Sequence, residues 1–249
     1  MRYREPAICL RATDFSETSQ VVHFLTRGQG VVKLMAKGTK RPKSKSGGMI
    51  DLLSEGELIY SHSGRDTLGT LMEFSESVVH SDLRKDVLRL NVGLYALEAA
   101  GEMLAEGDVH AEVFDLLHNM LIRLGQADAP VWAVLAYFQW RLLLHVGLLG
   151  ALSNCVGCGD DVAQRADAGE DVYFSSRQGG LLCRSCEASA PEKYRVDADA
   201  LAGLGTLLAV SAGRRQALGE PQARAVNRLL TYHIQQQLGK RLRMGRYVV

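Results

Sequence analysis

Four of the five cysteines fall in two short pairs, and this pattern constrains the fold more than any other feature of the chain. Both pairs have the spacing Cys-x-x-Cys, with 24 residues (159–182) between them, and their members are Cys155, Cys158, Cys183 and Cys186. Each pair offers two thiolates to one side of a tetrahedral ion, so two pairs complete a zinc site. Four thiolates leave no position for a substrate, and we therefore predict one structural zinc ion per chain.

The residues around the pairs predict a zinc ribbon. Glycines lie where tight knuckles need them, at Gly157 and Gly159 and at 179–180 before the second pair. The segments 171–175 and 180–182 have the pattern of a short hairpin that carries the second pair. Two disulfides, or a redox-active dithiol at one pair, are the alternatives. Zinc is favoured because nothing else in the sequence indicates an oxidising compartment.

The composition is that of a globular protein, and we expect it in the cytoplasm. Its 249 residues, 47% hydrophobic and 23% charged, suffice for two or three small domains. The first residues form a strand-like segment and not the apolar core of a signal peptide. The most apolar run, 131–149, contains Gln139, Arg141 and His145, so it predicts a buried helix and no membrane span.

Residues 1–80 have the pattern of a small β-barrel. Turn residues separate five strand-like segments, near 5–13, 20–27, 31–38, 56–63 and 67–76. In the third segment the alternation places Leu34 on one face and Lys33 and Lys37 on the other. Five short strands, joined mostly as hairpins, are typical of an OB-type barrel.

From residue 81 onward the hydrophobic period becomes helical. The first helix is predicted to have Ser81 or Asp82 at its N-cap and Val87 in its inward-facing stripe. Four more helices are predicted, near 110–125, after Pro130, near 197–212 and near 220–242. The helix after Pro130 is apolar almost all round and is expected to be the central one.

These patterns together predict an α+β multidomain protein. An OB-type β-barrel of residues 1–80, which would bind DNA, precedes an α-helical domain of residues 81–249. The four-cysteine zinc ribbon, at about 151–195, is expected to be inserted in the helical domain, because helical periodicity resumes after it.

The strongest indication of function besides the cysteines is a run of cations. No acidic residue occurs between Glu17 and Asp51. The cations that we assign to nucleic-acid binding are Lys33, Lys37, Lys40, Arg41, Lys43 and Lys45. A flexible basic loop beside a barrel can follow a phosphate backbone and release counterions, although a merely solvated loop is the alternative. Phe24, Tyr60 and Phe74 are candidates for base stacking, but each is more simply a core residue.

The rest of the sequence offers no catalytic constellation. It has no Gly-x-Ser-x-Gly, phosphate-binding loop or His-Glu-x-x-His motif, so no enzymatic activity is predicted. Charge is uneven although the net charge is only +1, since residues 81–150 carry 5 basic and 9 acidic side chains. This acidic middle disfavours a DNA track across the first helices. Cations near the C-terminal end suit a helix macrodipole without any ligand.

Four short stretches carry a resemblance to a known family. They are the run Asp-Phe-Ser-Glu-Thr-Ser at 14–19, Ala-Lys-Gly at 36–38, the segment 179–186 with the second cysteine pair, and the run 232–240. Each stretch alone is weak evidence, but together they are specific. Over essentially its whole length, the chain resembles the RecO recombination mediators of bacteria.

The resemblance implies a fold, a function and partners. It implies an OB barrel, a helical domain and a ribbon in which all four paired cysteines bind zinc. It also implies binding to single- and double-stranded DNA, annealing of complementary strands, and assistance to the recombinase RecA in displacing single-strand binding protein. RecR and the acidic C-terminal tail of single-strand binding protein are the implied protein partners, and the nucleoid is the implied place of action.

The resemblance further implies that the helical domain receives the acidic tail. That peptide has an apolar tip, so it needs a hydrophobic pocket bordered by cations. We predict Arg123 and Arg141 as the partner-docking residues, because the helix after Pro130 is the most apolar. The alternative is that these arginines only pair with Glu112 or Asp115 at the surface.

The sequence is best interpreted as a non-enzymatic, DNA-binding mediator of recombinational repair. Two other classes stay open at this point. In a protein-docking adaptor the barrel would bind protein, and the basic loop would only be solvated. In an RNA-binding factor of translation or the ribosome, the same barrel and ribbon would bind RNA. Salt-dependent DNA binding distinguishes the DNA-binding mediator from the adaptor. Competition between RNA and DNA distinguishes it from the RNA-binding factor.

Overall fold

The computed structural model describes residues 1–39, 48–63, 68–78, 80–150, 152–214 and 216–248. The chain divides into two compact units, whose main parts are Met1–Ala129 and Pro130–Tyr247. The boundary predicted at residue 80 marks the change from strands to helices, so the first unit contains the barrel and also the first two helices. No helix among the described residues is long and apolar enough to cross a membrane.

The first unit begins with the five predicted strands. They are β1 (Arg2–Asp14), β2 (Gln20–Thr26), β3 (Gly30–Ala36), β4 (Glu55–Ser61) and β5 (Gly69–Val78). The strands close into a barrel in the order β1-β2-β3-β5-β4, in which only β3 and β5 are parallel. This topology confirms the OB-type fold class.

Alternate residues of the strands fill the interior of the barrel. Leu34 and Ala36 of β3 are fully buried there, as the alternation in the sequence predicts. The aromatic rings considered for base stacking also lie in this core, with exposed fractions of 0% for Phe24, 2% for Tyr60 and 4% for Phe74. Because these three rings are enclosed, they do not form a stacking platform for DNA.

Two helices follow the barrel, α1 (Val87–Met103) and α2 (Ala111–Gly125). The N-cap predicted at Ser81 or Asp82 is wrong, because residues 81–85 form a short 3₁₀ helix and α1 begins after Asp86. The Asp86 carboxylate accepts hydrogen bonds from two backbone N–H groups of the first turn and so fixes this start. Val87 is 76% exposed and therefore does not belong to the inward stripe.

A buried carboxylate connects the barrel to the segments that follow it. Glu55 of β4 accepts hydrogen bonds from His80 Nε2 at 2.9 Å and from His118 Nδ1 of α2 at 2.5 Å. Burial opposes ionisation of Glu55, yet these two hydrogen bonds hold the pKa of its carboxyl below the usual range. The barrel and α2 are thus joined by a charged contact between residues 63 positions apart.

Three helices form the framework of the second unit: α3 (Val131–His145), α5 (Ala198–Ser211) and α6 (Glu220–Leu238). The expectation that α3 is central is wrong, since α6 packs against both α3 and α5. A buried amide network joins α3 to α6, with Gln139 donating to Asn227 at 3.0 Å and accepting from Thr231 at 3.1 Å. Such a network makes the pairing of α3 with α6 specific.

The cysteine segment is inserted between α3 and α5, as predicted. It contains the short helix α4 (Val162–Asp167) and a sheet of three strands, β6 (Val172–Ser175), β7 (Gly180–Cys183) and β8 (Tyr194–Val196). The strand order is β7-β6-β8, with β6 and β7 forming the predicted hairpin. Both strands of this hairpin are buried along their whole length.

Candidate metal centre and nucleic-acid interface

The four paired cysteines converge on one point in the ribbon. Their sulfur atoms all lie within 4.8 Å of one another, and Cys158 Sγ is 3.8 Å from Cys183 Sγ. A tetrahedral ion with metal–sulfur bonds of about 2.3 Å requires sulfur atoms roughly 3.8 Å apart, so the cluster fits such an ion. A disulfide bond requires about 2.05 Å, and all four residues are free cysteines.

Backbone contacts hold the two knuckles in place. The first knuckle is closed by the Gly159 N–H, which donates to the Cys155 carbonyl at 2.8 Å, and Gly159 has a φ of +82° that favours glycine. The second is closed by the Cys186 N–H, which donates to the Cys183 carbonyl at 3.1 Å. A side chain at position 157 would meet the Cys186 sulfur at 3.0 Å, which explains the glycine there.

The electrostatics of the cluster favour a bound cation. Burial opposes ionisation of Cys155, but backbone N–H groups of Cys183 and Cys158 donate to its sulfur, and its pKa falls to about 6. Hydrogen bonds with the sulfurs of Cys158 and Cys183 raise the pKa of Cys186 to about 12. The Cys155 thiolate therefore forms readily, whereas ionisation of Cys186 is assisted by the charge of a bound metal ion.

The acidic residues near the knuckles have structural roles. Asp160 pairs with Arg165 at 2.5 Å, and the Asp161 carboxylate caps α4 by accepting from the Gln164 N–H. Asp197 caps α5 in the same way. Among the residues described, the four cysteines are the one group of metal-ligand type that converges. The centre is enclosed by thiols alone, so it can hold an ion but offers a substrate no ligand position.

The structure describes two of the six cations assigned to nucleic-acid binding. Lys33 lies on the outer face of β3, and its Nζ pairs with Glu106 Oε2 at 2.8 Å. Lys37 follows the end of β3 and is exposed. The remaining residues, Lys40, Arg41, Lys43 and Lys45, lie outside the described residues.

The strand register adds one cation, Arg11, and one histidine, His23, that sequence reasoning missed. Arg11 of β1 pairs in register with His23 of β2, and His23 pairs with Lys33 of β3. Cross-strand partners share one face of a sheet, so these side chains form a row across three strands. Burial and the neighbouring Lys33 and Arg11 cations lower the pKa of His23. Strand pairing is needed to recognise this row, because its members are widely separated in sequence.

The two arginines assigned to partner docking have different surroundings. Arg123 of α2 pairs with Asp128 at 2.7 Å, and not with Glu112 or Asp115 as the alternative expected. Asp115 instead pairs with Arg27 at 2.9 Å.

Arg141 lies on a partly apolar face of α3. Its guanidinium is 3.3 Å from His145 Nε2 and 5.9 Å from the centre of the Trp140 ring. Tyr137 and Leu144, which share that helical face with Arg141, are 39% and 36% exposed. A cation between two exposed apolar side chains is the pattern expected for binding an acidic peptide with an apolar tip.

The fold and the site together define an OB-barrel protein with a four-cysteine metal centre in a helical unit. Family models for the N-terminal and C-terminal parts of Recombination protein O match residues 1–77 and 84–245. The chain therefore belongs to the RecO family. This membership supports a role in recombinational DNA repair.

Several bacterial relatives carry the name DNA repair protein RecO. The protein from Anaeromyxobacter dehalogenans strain 2CP-C is 33% identical, over 99% of this chain and 96% of its own length. The protein from Symbiobacterium thermophilum is 30% identical, over 83% of this chain and 79% of its own length. The protein from Myxococcus xanthus is 28% identical, over 97% of this chain and 95% of its own length.

Proposed function

We propose that this protein is a non-enzymatic mediator of recombinational repair that binds single- and double-stranded DNA. In this proposal it anneals complementary strands and, together with RecR, assists the loading of RecA. It acts in the cytoplasm, at the nucleoid. We call residues 37–45 the basic segment, since they contain five of the six assigned cations. The observation that carries the DNA-binding proposal is the position of Lys37, which is exposed where the chain leaves β3.

The proposed mechanism is electrostatic. Two DNA strands repel each other through their phosphates, and a protein that neutralises phosphates on both strands lowers that repulsion. Arg11, an exposed cation of β1, extends the positive charge beyond the basic segment. Contacts of this kind hold the phosphate backbone without reading the bases, which suits a protein that must act on any sequence.

Salt-dependent binding tests this proposal. If the protein neutralises about four to six phosphates, the logarithm of the affinity for single-stranded DNA falls against the logarithm of salt with a slope of about −3 to −4. Lys40→Glu combined with Arg41→Glu removes two contacts, so the slope becomes shallower by about 1.4. Fluorescence anisotropy of a labelled oligonucleotide, titrated at several salt concentrations, measures both slopes.

Arg84→Glu combined with Lys85→Glu is the matched control. It makes the same change in net charge, and both side chains are exposed and paired with acidic residues outside the basic segment. We expect it to leave the slope unchanged. Equal slopes in the wild type and in the Lys40 and Arg41 double variant would show that the basic segment is only a solvated loop and does not contact DNA. Tighter binding to RNA than to DNA would favour the RNA-binding class.

We further propose that the four cysteines bind zinc, one ion per chain. Four thiolates at tetrahedral spacing suit zinc, and its role here is to stabilise the ribbon. Elemental analysis of the purified protein tests the identity of the metal. One equivalent of zinc is the expected result, whereas four oxidised thiols without metal would contradict it.

We also propose that the helical part of the chain binds the acidic tail of single-strand binding protein. The exposed Tyr137 and Leu144 beside Arg141 support a position on α3. Arg123 is a weaker candidate, because its guanidinium already pairs with Asp128 and also contacts Gln126.

Titration of a fluorescent tail peptide tests this docking site. Arg141→Ala is expected to weaken binding at least tenfold, since it removes the cation nearest the apolar side chains. Arg123→Ala is the comparison variant, and it should weaken binding less than Arg141→Ala does, because the Arg123 guanidinium already pairs with Asp128. Equal affinity in all three proteins would exclude the α3 position. If the wild type binds no peptide, the docking proposal itself is wrong.

A further inference from the structure

A cavity of about 280 Å³ lies in the first unit, where β1 and β3 begin and β4 ends. Tyr3, Val32 and Tyr60 line it from the strands, and Lys33 and Glu106 contribute charged groups. Mouths of β-barrels are common places for ligand sites. We call this site the barrel-mouth cavity.

The barrel-mouth cavity has an aromatic wall. Tyr3 and Tyr60 are cross-strand partners whose rings stack with centres 5.1 Å apart and planes at 18°. Tyr60 is 2% exposed and belongs to the barrel core, whereas Tyr3 is only partly buried. Tyr60 thus supports Tyr3 from the core, and Tyr3 presents a fixed ring to a ligand in the cavity. Flat aromatic ligands, including nucleobases, stack on such rings.

The charged groups of the cavity come as a pair. Lys33 Nζ and Glu106 Oε2 are 2.8 Å apart, with side chains 41% and 35% exposed. A site built only for phosphate would not place a carboxylate next to its lysine, because the carboxylate repels the anion. A neighbouring donor and acceptor instead match the edge of a nucleobase, since each base has a donor beside an acceptor on its Watson–Crick edge.

The wall that carries Glu106 is held firmly against the barrel. The Gly107 N–H donates to the Val31 carbonyl at 3.0 Å, and Glu106 forms a bridge with Val31 of β3. Gly30 has a φ of +66°, and a side chain there would lie 2.1 Å from the Asp108 carbonyl oxygen. The carboxylate is therefore in position before any ligand arrives, which lowers the entropic cost of binding.

We propose that the barrel-mouth cavity binds one unpaired base of single-stranded DNA. The base stacks on Tyr3, and its polar edge contacts Lys33 and Glu106. This inference rests on the proposed DNA-binding function and adds a means of distinguishing strands. In a duplex the base edges are paired and the faces are stacked, so the cavity selects unpaired DNA of any sequence.

Variants at Tyr3 test the proposal in the full chain. Tyr3→Ala is expected to weaken binding to single-stranded DNA by about five- to 150-fold, the range for loss of one base–aromatic stack. Its affinity for a duplex of the same sequence should stay within about twofold of the wild type. Tyr3→Phe retains the ring and should bind like the wild type. Thermal melting of both variants checks that the barrel remains folded.

An oligonucleotide with abasic sites provides the matching control on the DNA. It should bind wild type more weakly than the intact oligonucleotide does, whereas Tyr3→Ala should not distinguish the two. Glu106→Ala separates base binding from phosphate binding. It is expected to weaken single-strand binding, whereas a site for phosphate alone would bind both DNA forms more tightly after loss of the carboxylate.

The outcomes distinguish this inference from the proposed function. If wild type binds neither form of DNA, both proposals are wrong. If wild type binds DNA and Tyr3→Ala binds single strands equally well, only the base-binding proposal is wrong. Equal losses for single strands and duplex in Tyr3→Ala would also overturn it, since a site for unpaired bases does not act on duplex.

Discussion

The ribbon and the barrel show two ways in which a sequence specifies a site. In the ribbon, four side chains from two short motifs meet at one point, within 4.8 Å of one another. In the barrel, the charged side chains are distributed over three strands and the segments that follow them. Lys33, for example, contacts Glu106, which lies 73 positions further along the chain (106 − 33).

This difference determines what can be read from spacing alone. A tetrahedral ion fixes the distances between its ligands, so the spacing of the cysteines already describes the geometry of the centre. A nucleic-acid interface imposes no such geometry, and its charges depend on strand register and on acidic neighbours. Replacing a single cysteine should therefore disrupt the ribbon. The barrel should instead depend on contacts between residues remote in sequence.

Cys183→Ser is expected to have the largest effect, because it removes one of the four proposed metal ligands. Structural zinc sites contribute about 10–16 kcal/mol of apparent binding energy, which exceeds the stability of a small domain. The variant should lose its metal and become sensitive to proteolysis within residues 151–196. Elemental analysis and limited proteolysis measure these effects. Cys9→Ser, at the buried cysteine of the barrel, is the control and should retain one metal ion.

Gly30→Ala tests the contact between the β2–β3 turn and the segment after α1. Its φ of +66° disfavours a side chain, and the new methyl group would overlap the Asp108 carbonyl. We expect a loss of about 2–4 kcal/mol in the free energy of unfolding of the first unit. Gly28→Ala is the control, since the three atoms nearest its methyl group would all belong to the flexible carboxylate of Glu5. Similar urea midpoints for both variants would contradict this expectation, because they would show that the turn moves enough to accommodate the methyl group.

Glu55→Gln tests the buried connection between the barrel and α2. Replacing a carboxylate that accepts from two histidines should cost about 1.5–3 kcal/mol at pH 7. Because the folded-state pKa of Glu55 is lowered, its stabilisation is present above the unfolded value of about 4.3 and is lost as pH falls through the folded value. Urea unfolding of the wild type between pH 7 and pH 3 should therefore show a decline that Glu55→Gln reduces.

Glu57→Gln is the control for this pH dependence. Glu57 lies two positions along β4, but it is exposed and pairs with Arg4 at the surface. Its replacement should change the unfolding midpoint little at either pH. A decline with pH that is equally steep in the Glu55 and Glu57 variants would assign the acid sensitivity to other groups.

Much of the fold was predictable because it follows from local patterns. The five strands and the cysteine hairpin were found from alternation and turn residues, and Pro130 correctly indicated the beginning of α3. The start of α1 was not found, since several acidic and hydroxyl residues compete as caps and only Asp86 makes the hydrogen bonds. The apolar character of α3 suggested a central helix, although α6, which is less apolar overall, is the helix that packs against both α3 and α5.

The metal centre and the barrel sites also differ in how far the sequence predicted them. The four cysteines that converge in the ribbon were identified from their spacing. The pairing of Lys33 with Glu106 and the row of Arg11 and His23 were not, because both require the register of strands and the path of the chain after α1. The stacked pair of Tyr3 and Tyr60 was missed for the same reason, since the two rings meet only across β1 and β4.

The central claim is that the barrel and its basic segment contact DNA, and photocrosslinking tests it most directly. The full chain is irradiated with a single-stranded oligonucleotide containing bromodeoxyuridine, and crosslinked peptides are identified by mass spectrometry. We predict crosslinks within residues 1–48, in the basic segment and at Tyr3. Crosslinks confined to residues 130–247 would contradict the account, because they would place DNA contact entirely in the other compact unit.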